Sequence, residues 1–279
     1  MVHFKTILAI LSVNALLGAC GGGGSVVENN QQIASVDVRT LSYSRQAVLF
    51  VSGSFLRSDM TAVTGACKDP VFNLVQSTPT LAVLNCTVTA TGVQPLSITG
   101  TSGKALYAGT ITVPQPQVQL VTSQGTVVVE LDPAAAPVSV NNFLSYANGG
   151  FYTNTLFHRV IASFVVQGGG YTQGLVRRAG QLAPIVLESN NGLLNNRGTL
   201  AMARTSAPNT ATSEFYFNLV DNPGLDYSSP ASPGFAVFGR VVNGLDVIDR
   251  IATLPTATVN AFANVPVTDV TLLAALQIR

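Results

Sequence analysis

The chain has 279 residues, enough for one large domain or two modest ones. Only 10% of them are charged and the formal net charge is +1, so there is no cationic field to hold a phosphate backbone, and nucleic acid is not an expected partner. Hydrophobic residues make up 47%, and runs rich in Val and Thr favour strand over helix.

The chain starts "MVHFKTILAILSVNALLGAC". Lys5 gives a positive start, and the apolar run from Ile7 to Leu17 is too short to span a bilayer. Small residues follow, so residues 1–19 are expected to be a secretory signal. A first core helix is the alternative, but "CGGGGS" comes next and would cut that helix loose. The "LGAC" of Leu17 to Cys20 resembles a bacterial lipobox. That resemblance implies cleavage before Cys20, acylation of its sulfur and a membrane anchor. Gly21 follows the cysteine where Asp would signal retention at the inner membrane, which implies sorting to the outer membrane. The expected location is therefore the periplasm, on a lipid anchor. Residues 20–32 are Gly, Ser, Asn and Gln with little apolar content, and are expected to form a flexible tether.

Over 33–113, short β-like runs such as "SVDVRTL", "AVLFVSGSF", "LAVLNCTVTA" and "YAGTITV" alternate with turn residues. The spacing predicts a small β-sandwich, and the layout resembles an immunoglobulin-like fold. With Cys20 acylated, Cys67 and Cys86 remain as an even pair in an exported protein, which predicts a disulfide. Two unpaired buried thiols are the alternative. "GTSGKA", Gly100 to Ala105, fails as a phosphate loop, because Ile98 stands where its first glycine belongs and Ala105 where it needs Ser or Thr. A hairpin turn is expected there. "VPQPQ", Val113 to Gln117, marks a boundary by its prolines.

From 117 to 279 the pattern changes. A hairpin is predicted around Gln124 and Gly125. A helix follows, with Pro137 in its first turn, an apolar stripe of Val140, Phe143, Leu144 and Ala147, and Gly149 or Gly150 at its end. A second helix, "NGLDVIDRIATL", turns Leu245, Ile248 and Ile251 inward, and "VPVTDVTLLAALQIR" closes the chain with strand-like residues. The expected fold is mainly β: a closed antiparallel barrel capped by two helices, preceded by the sandwich.

Most catalytic chemistries lack their residues. Beyond the signal segment the chain keeps His158 as its one histidine, and two cysteines besides Cys20, so no His/Cys zinc site and no cofactor are expected. A G-x-S-x-G elbow is absent. The glycines at 168–170 lack dinucleotide-binding spacing, and instead end a strand or admit another backbone closely. In "FHRVIASFVVQGGG", the halves "FHRVI" and "FVVQGG" pair around Ala162 and Ser163, with Val165 and Gln167 on one face. The turn resets the alternation, so parity leaves Arg159 unplaced relative to Gln167. Arg159 pairs with an acid, lines a groove, or snorkels from a strand edge.

Five segments in order, "VELDPAAAPVSVNNFL", "GGFYTNTLFHRVI", "FVVQGG", "NNRGTLAMART" and "FAVFGRVVNGLDVIDRI", resemble the cyclophilins, a family of peptidyl-prolyl cis-trans isomerases. The match runs from about Val118 to Arg279, with the texture of bacterial periplasmic members. The resemblance implies that Arg159 is the catalytic arginine and Gln167 the glutamine that hydrogen-bonds the substrate backbone. It makes Phe164, Val165, Phe215 and Leu225 walls of a proline pocket, with Tyr216 the aromatic deep inside. Met202 is implied to lie on the strand leading to the site, Ala203 and Arg204 to pair by backbone with bound peptide, and Phe235 to fill a position held by histidine or an aromatic.

Three departures stand out. The chain has no tryptophan, and Gly224 occupies the position of a Trp or Phe, which implies a weak hold on the family's cyclic peptide drug. Glu214 replaces a pocket-side glutamine, and Ala162 and Ser163 replace a proline and glycine in the turn. The implied function is prolyl isomerisation that speeds folding of exported proteins. The alternatives are a catalytically weak or inactive proline-peptide-binding chaperone or adaptor on the membrane, and a protein whose sandwich does the work by gripping a surface partner. The expected partners are proline-containing polypeptides and the membrane under the lipid anchor, with the protein itself a monomer.

Overall fold

The computed structural model describes residues 30–39, 41–57, 59–100 and 103–279. The signal segment, Cys20 and most of the tether lie outside the described residues. The first seven strands are β1 (Gln32–Val38), β2 (Gln46–Ser54), β3 (Thr61–Thr64), β4 (Cys67–Phe72), β5 (Leu81–Val88), β6 (Gly92–Thr99) and β7 (Ala105–Val113). They form two antiparallel sheets, ordered β1-β2-β5-β4 and β3-β6-β7. Gln32, assigned above to the tether, already belongs to β1. Alternation sets the faces: Ala47, Leu49 and Val51 of β2 are buried, while Val48 between them is exposed. Their buried side meets Leu84, Val88, Leu96 and Ile98 in one apolar cluster. Cys67 and Cys86, on the neighbouring strands β4 and β5, are joined by a disulfide. The expected turn after β6 is a hairpin, closed by the Gly100 N–H donating to the Lys104 carbonyl at 2.9 Å.

The second β region begins at once after the prolines. Its strands are β8 (Gln117–Thr122), β9 (Gly125–Leu131), β10 (Thr155–Leu156), β11 (Arg159–Ile161), β12 (Val165–Gly168), β13 (Tyr171–Thr172), β14 (Val176–Arg177), β15 (Thr199–Met202), β16 (Phe215–Asn218), β17 (Val237–Asn243), β18 (Thr256–Val259), β19 (Phe262–Pro266) and β20 (Thr271–Gln277). Nine of them make one antiparallel sheet ordered β10-β20-β8-β9-β17-β15-β16-β12-β11. The sheet curls until its ends meet. Only Phe157 and His158 separate β10 from β11. The Gly169 N–H, just past β12, donates to the Leu156 carbonyl of β10 at 3.3 Å.

Two helices cover the openings, α1 (Pro137–Asn148) and α2 (Leu245–Ala252). On α1 the stripe of Val140, Phe143, Leu144 and Ala147 is buried as expected. Its first turn has no side-chain cap of its own, and the carboxylate of Glu188 accepts from the Val138 N–H at 2.9 Å and the Ser139 N–H at 2.8 Å. On α2, Val247, Ile248 and Ile251 are buried and Leu245 is half-buried. Between the helices the barrel is filled by fully buried rings of Phe143, Tyr152, Phe157, Phe215, Phe217 and Phe238. Tyr43, from the β1–β2 connection, is 3% exposed and belongs to this barrel cluster. Beside it Arg45 reaches the Asn148 Oδ1 at 2.5 Å and the Gln277 Oε1 at 3.2 Å, so the two β regions are packed together.

Candidate active site

The β11–β12 hairpin pairs Arg159 directly with Gln167, Val160 with Val166 and Ile161 with Val165. Ser163 makes the turn in a left-handed conformation (φ 56°), and the Phe164 N–H donates to the Ile161 carbonyl at 3.1 Å. This register places Arg159 and Gln167 on the same face. Val160 and Val166, at 2% and 0% exposure, point into the barrel. Arg159, Val165 and Gln167 therefore look outward, where they line a cavity of about 200 Å³.

Neighbouring elements complete that cavity. Tyr216 on β16 lies opposite Ala201 on β15 and forms the floor, with Phe164, Leu225 and Phe235 around it. Ala203 and Arg204, just beyond β15, close the remaining side. Phe235 meets Tyr216 edge-on at 5.9 Å, and the Arg204 guanidinium lies 4.5 Å from the Phe235 ring centre. The donors of Arg204 are directed at carbonyls, with Nη2 2.6 Å from that of Gly234. The rim is tied by backbone bonds: Phe235 N–H to the Leu225 carbonyl and Leu225 N–H to the Asn222 carbonyl, both at 2.9 Å. Met202, 1% exposed, lies on β15 behind the site.

One residue expected in the pocket wall is elsewhere. Phe215 is fully buried in the barrel core, against Phe143, Tyr152 and Phe217. Alternation on β16 explains the difference. Phe215 and Phe217 face inward, so Tyr216 alone of the three reaches the outer cavity. Gly224, exposed in the short 3-10 turn Pro223–Leu225, has open space where a side chain would extend.

Two polar networks lie beneath the apolar walls. Asn195, 1% exposed, accepts the Tyr216 hydroxyl at 2.7 Å and donates to the Leu225 carbonyl and the Asp226 Oδ1, each at 3.0 Å. Burial, then the nearby Asp226 charge, raises the Tyr216 hydroxyl pKa far above its ordinary value, so it is a neutral donor. Nothing in "NNGLLNNRG" distinguished Asn195 from a turn asparagine, and the sequence reading did not find it.

The second network starts at the cation. Arg159 Nη1 donates to Gln167 Oε1 at 3.1 Å, and Gln167 Nε2 donates to Glu214 Oε2 at 2.8 Å. That carboxylate oxygen is also 3.4 Å from Nε2 of the buried His158. Burial pushes the Glu214 carboxyl up, but the hydrogen bond and charge of His158, then Gln167 and Arg177, outweigh it and hold Glu214 below the usual glutamate value. The acid meets Arg159 through the Gln167 amide.

A larger cavity of about 500 Å³ lies between Gln115, Leu193, Val237 and Arg240. Its arginine is paired with Glu130 at 2.9 Å, and it lacks the aromatic floor that accompanies Arg159. The smaller cavity is the stronger candidate on its chemistry.

Fold and site together define a curled β-barrel with a shallow, mainly apolar cavity edged by two arginines: Arg204, directed at carbonyls, and Arg159, bonded to Gln167. A family model described as cyclophilin type peptidyl-prolyl cis-trans isomerase/CLD matches residues 117–275. A peptidyl-prolyl cis-trans isomerase of Acinetobacter baylyi is 46% identical over 162 residues, covering 58% of this chain and 85% of that relative. Peptidyl-prolyl cis-trans isomerase B of Escherichia coli is 46% identical over 151 residues, or 53% of this chain and 92% of that relative. A crystal structure of a Cryptosporidium parvum cyclophilin type isomerase aligns with a TM-score of 0.49 at 23% identity, over 59% of this chain and 98% of that one. The chain belongs to the cyclophilin-type peptidyl-prolyl cis-trans isomerases, and it is an enzyme of that class.

Proposed function

We propose that Arg159 carries the catalysis, by donating to the nitrogen of a twisted X-Pro bond whose proline ring sits over Tyr216. The X-Pro bond resists rotation because the nitrogen lone pair is shared with the carbonyl, and a peptide barrier stands at about 18–20 kcal/mol. Twisting ends that sharing and leaves a pyramidal, basic nitrogen. A guanidinium hydrogen-bonded to it stabilises the twisted form more than the planar one, which is the differential binding that catalysis requires. Arginine suits the role because it stays protonated and presents a rigid fork. The observation that carries this reading is the register of β11 and β12, with Arg159 opposite Gln167 beside the apolar cavity. Arg159 gives one donor to Gln167 and keeps the rest of its fork for substrate.

A charge-assisted hydrogen bond is worth about 1.5–3 kcal/mol, so Arg159→Ala should slow isomerisation of a proline peptide by about 10- to 100-fold. The rest of the acceleration falls to the pocket that holds the ring while the flanking chain turns, and to the exclusion of water around the cation. Equal rates for wild type and Arg159→Ala end this mechanism. The open space at Gly224 favours a second reading, in which the groove holds proline peptides with little turnover. Binding retained without any rate enhancement selects it.

The cellular role follows from the amino-terminal residues. We infer that Cys20 is acylated and carries the enzyme on the outer membrane, where it speeds folding of exported proteins whose X-Pro bonds otherwise relax over tens of seconds. "LGAC" followed by Gly21 supports this. Incorporation of a clickable fatty acid into wild type but not Cys20→Ser tests it, and equal labelling refutes it. We also read residues 33–113 as an immunoglobulin-like domain. The strand orders β1-β2-β5-β4 and β3-β6-β7 support this, being those of a constant-type sandwich. Its disulfide departs from antibody domains by linking neighbours within one sheet.

A further inference from the structure

We propose that Glu214 is a positioning residue of the isomerase site: its carboxylate locks the Gln167 amide in one orientation, carbonyl toward Arg159, and so holds the guanidinium at the rim of the cavity. The proposal rests on the catalytic reading of Arg159 given above.

The argument begins with the amide. The two ends of a glutamine side chain are alike in shape and opposite in hydrogen bonding, so its neighbours decide which end faces which way. An ionised carboxylate accepts and cannot donate. Glu214 Oε2 therefore takes the Nε2 end of Gln167 at 2.8 Å, which leaves Oε1 for Arg159 Nη1 at 3.1 Å. A glutamine at 214 offers both a donor and an acceptor, and permits either orientation. In the flipped one, the Gln167 NH2 confronts the guanidinium donor to donor, and Arg159 loses its tether.

Three features of the surroundings hold the carboxylate in this role. A side chain at Gly170 would meet Glu214 Cγ at 2.5 Å, so that glycine leaves room for the stem. His158 is 4% exposed, and its Nδ1 is buried without a hydrogen-bond partner among the described residues. The ring thus presents Nε2 to Glu214 Oε2, 3.4 Å away. Tyr171 and Phe262 pack edge-on to His158 with ring centres at 4.7 and 6.3 Å, which fixes the imidazole. The charged and titratable groups facing Glu214 are thus His158 before β11, Tyr171 on β13 and Arg177 on β14, with Arg159 behind Gln167. Each cation among them favours the ionised carboxylate that the lock requires. A further consequence is that one of the two Nε2–H donors of Gln167 goes to Glu214, which leaves the other for a bound chain.

The test compares wild type, Glu214→Gln and Arg159→Ala by exchange NMR on an Ala-Pro peptide across the acid-to-neutral range. Glu214→Gln is expected to lower the rate at saturating peptide by about three- to tenfold, the worth of one modest hydrogen bond, with peptide affinity nearly unchanged. The wild-type rate falls in acid as Glu214 is protonated, and that acid limb disappears in Glu214→Gln. A wild-type rate in Glu214→Gln, or a slowed rate that keeps the acid limb, overturns the proposal. If Arg159→Ala loses activity while Glu214→Gln does not, this inference alone fails; if Arg159→Ala is as fast as wild type, the catalytic reading fails as well. Should Glu214→Gln not fold, the side-chain amide signals of Gln167 in the wild type decide. Movement through the acid titration supports the lock, and signals that stay put refute it.

Discussion

Replacing Asn195 by alanine should cost about 2–3 kcal/mol of stability, a figure that follows from which of its partners are left stranded. Each partner can be checked in turn. Asn218 Nδ2, which gives to Asn195 Oδ1 at 3.2 Å, keeps a second bond to Thr199 Oγ1 at 2.9 Å. The Leu225 carbonyl keeps the Phe235 N–H at 2.9 Å. Asp226 Oδ1 keeps the backbone N–H of residue 195 at 2.7 Å, which alanine still provides. The Tyr216 hydroxyl has no such reserve. It gives to Asn195 at 2.7 Å from a residue 4% exposed, and alanine leaves it unpaired beneath the apolar cavity. A stranded buried hydroxyl costs about 1–3 kcal/mol, and the weakened secondary bonds add the remainder. Urea unfolding of wild type, Asn195→Ala, Tyr216→Phe and the double variant measures this. Because Tyr216→Phe removes the group that Asn195→Ala strands, the double variant should be less destabilised than the sum of the singles by about 1 kcal/mol. Strictly additive costs, or an Asn195→Ala variant within about 0.5 kcal/mol of wild type, refute the reasoning.

Other expectations concern the rest of the molecule. Converting Cys67 and Cys86 to serine opens a link spanning 19 positions and should lower stability by about 3 kcal/mol in the chain-entropy model; melts with and without reductant should reproduce the difference in wild type, and unchanged melts refute it. Tyr43→Ala removes a ring that the first β region inserts into the barrel cluster. A cost of about 3–5 kcal/mol is expected, as for other large buried aromatics, with separate melting of the two β regions; one unchanged transition counts against it. The lowered carboxyl of Glu214 also has a stability consequence. Its folded value lies below its unfolded one, so it stabilises above the unfolded value, and that stability drains away as pH falls through the folded value. Urea midpoints measured down the acid range should therefore fall less steeply in Glu214→Gln than in wild type, and parallel curves contradict the sign.

The fold was legible where one periodicity controlled burial. The stripe of Val140, Phe143, Leu144 and Ala147 predicted α1, and Gln124 with Gly125 marked the turn between β8 and β9. Legibility stopped wherever the answer depended on residues distant in sequence. Parity along "FHRVIASFVVQGG" could not relate Arg159 to Gln167, because a left-handed Ser163 in the turn sets the register. Phe215 was misassigned to the pocket for a related reason. Three consecutive aromatics on β16 are alike in type, and only their alternation between barrel and surface tells Tyr216 from its neighbours. Tyr43 gave no sign of its destination, since a tyrosine in a turn reads as exposed until the barrel that receives it is in place. His158 and Asn195 are buried polar residues whose roles lie in their partners, and those are 56 and 21 positions away in Glu214 and Tyr216.

The glycines at 168–170 connect these levels. Gly168 lies so close to the Leu156 carbonyl that a Cβ would stand 2.7 Å from it, so this position must be bare where β12 meets β10 and the barrel closes. Gly169 adopts φ 87°, against the Ser213 carbonyl one residue before Glu214, and directs the chain away from the sheet. Gly170 then gives Glu214 its room. Closure of the barrel and placement of the acid behind Gln167 thus pass through one short segment. An alanine at 170 leaves the backbone approach at 168 intact and crowds only the Glu214 stem, so it separates the two demands: the barrel should stay closed while Arg159 loses its support. The segment "QGGG" therefore both ends β12 and makes room for the acid behind Gln167.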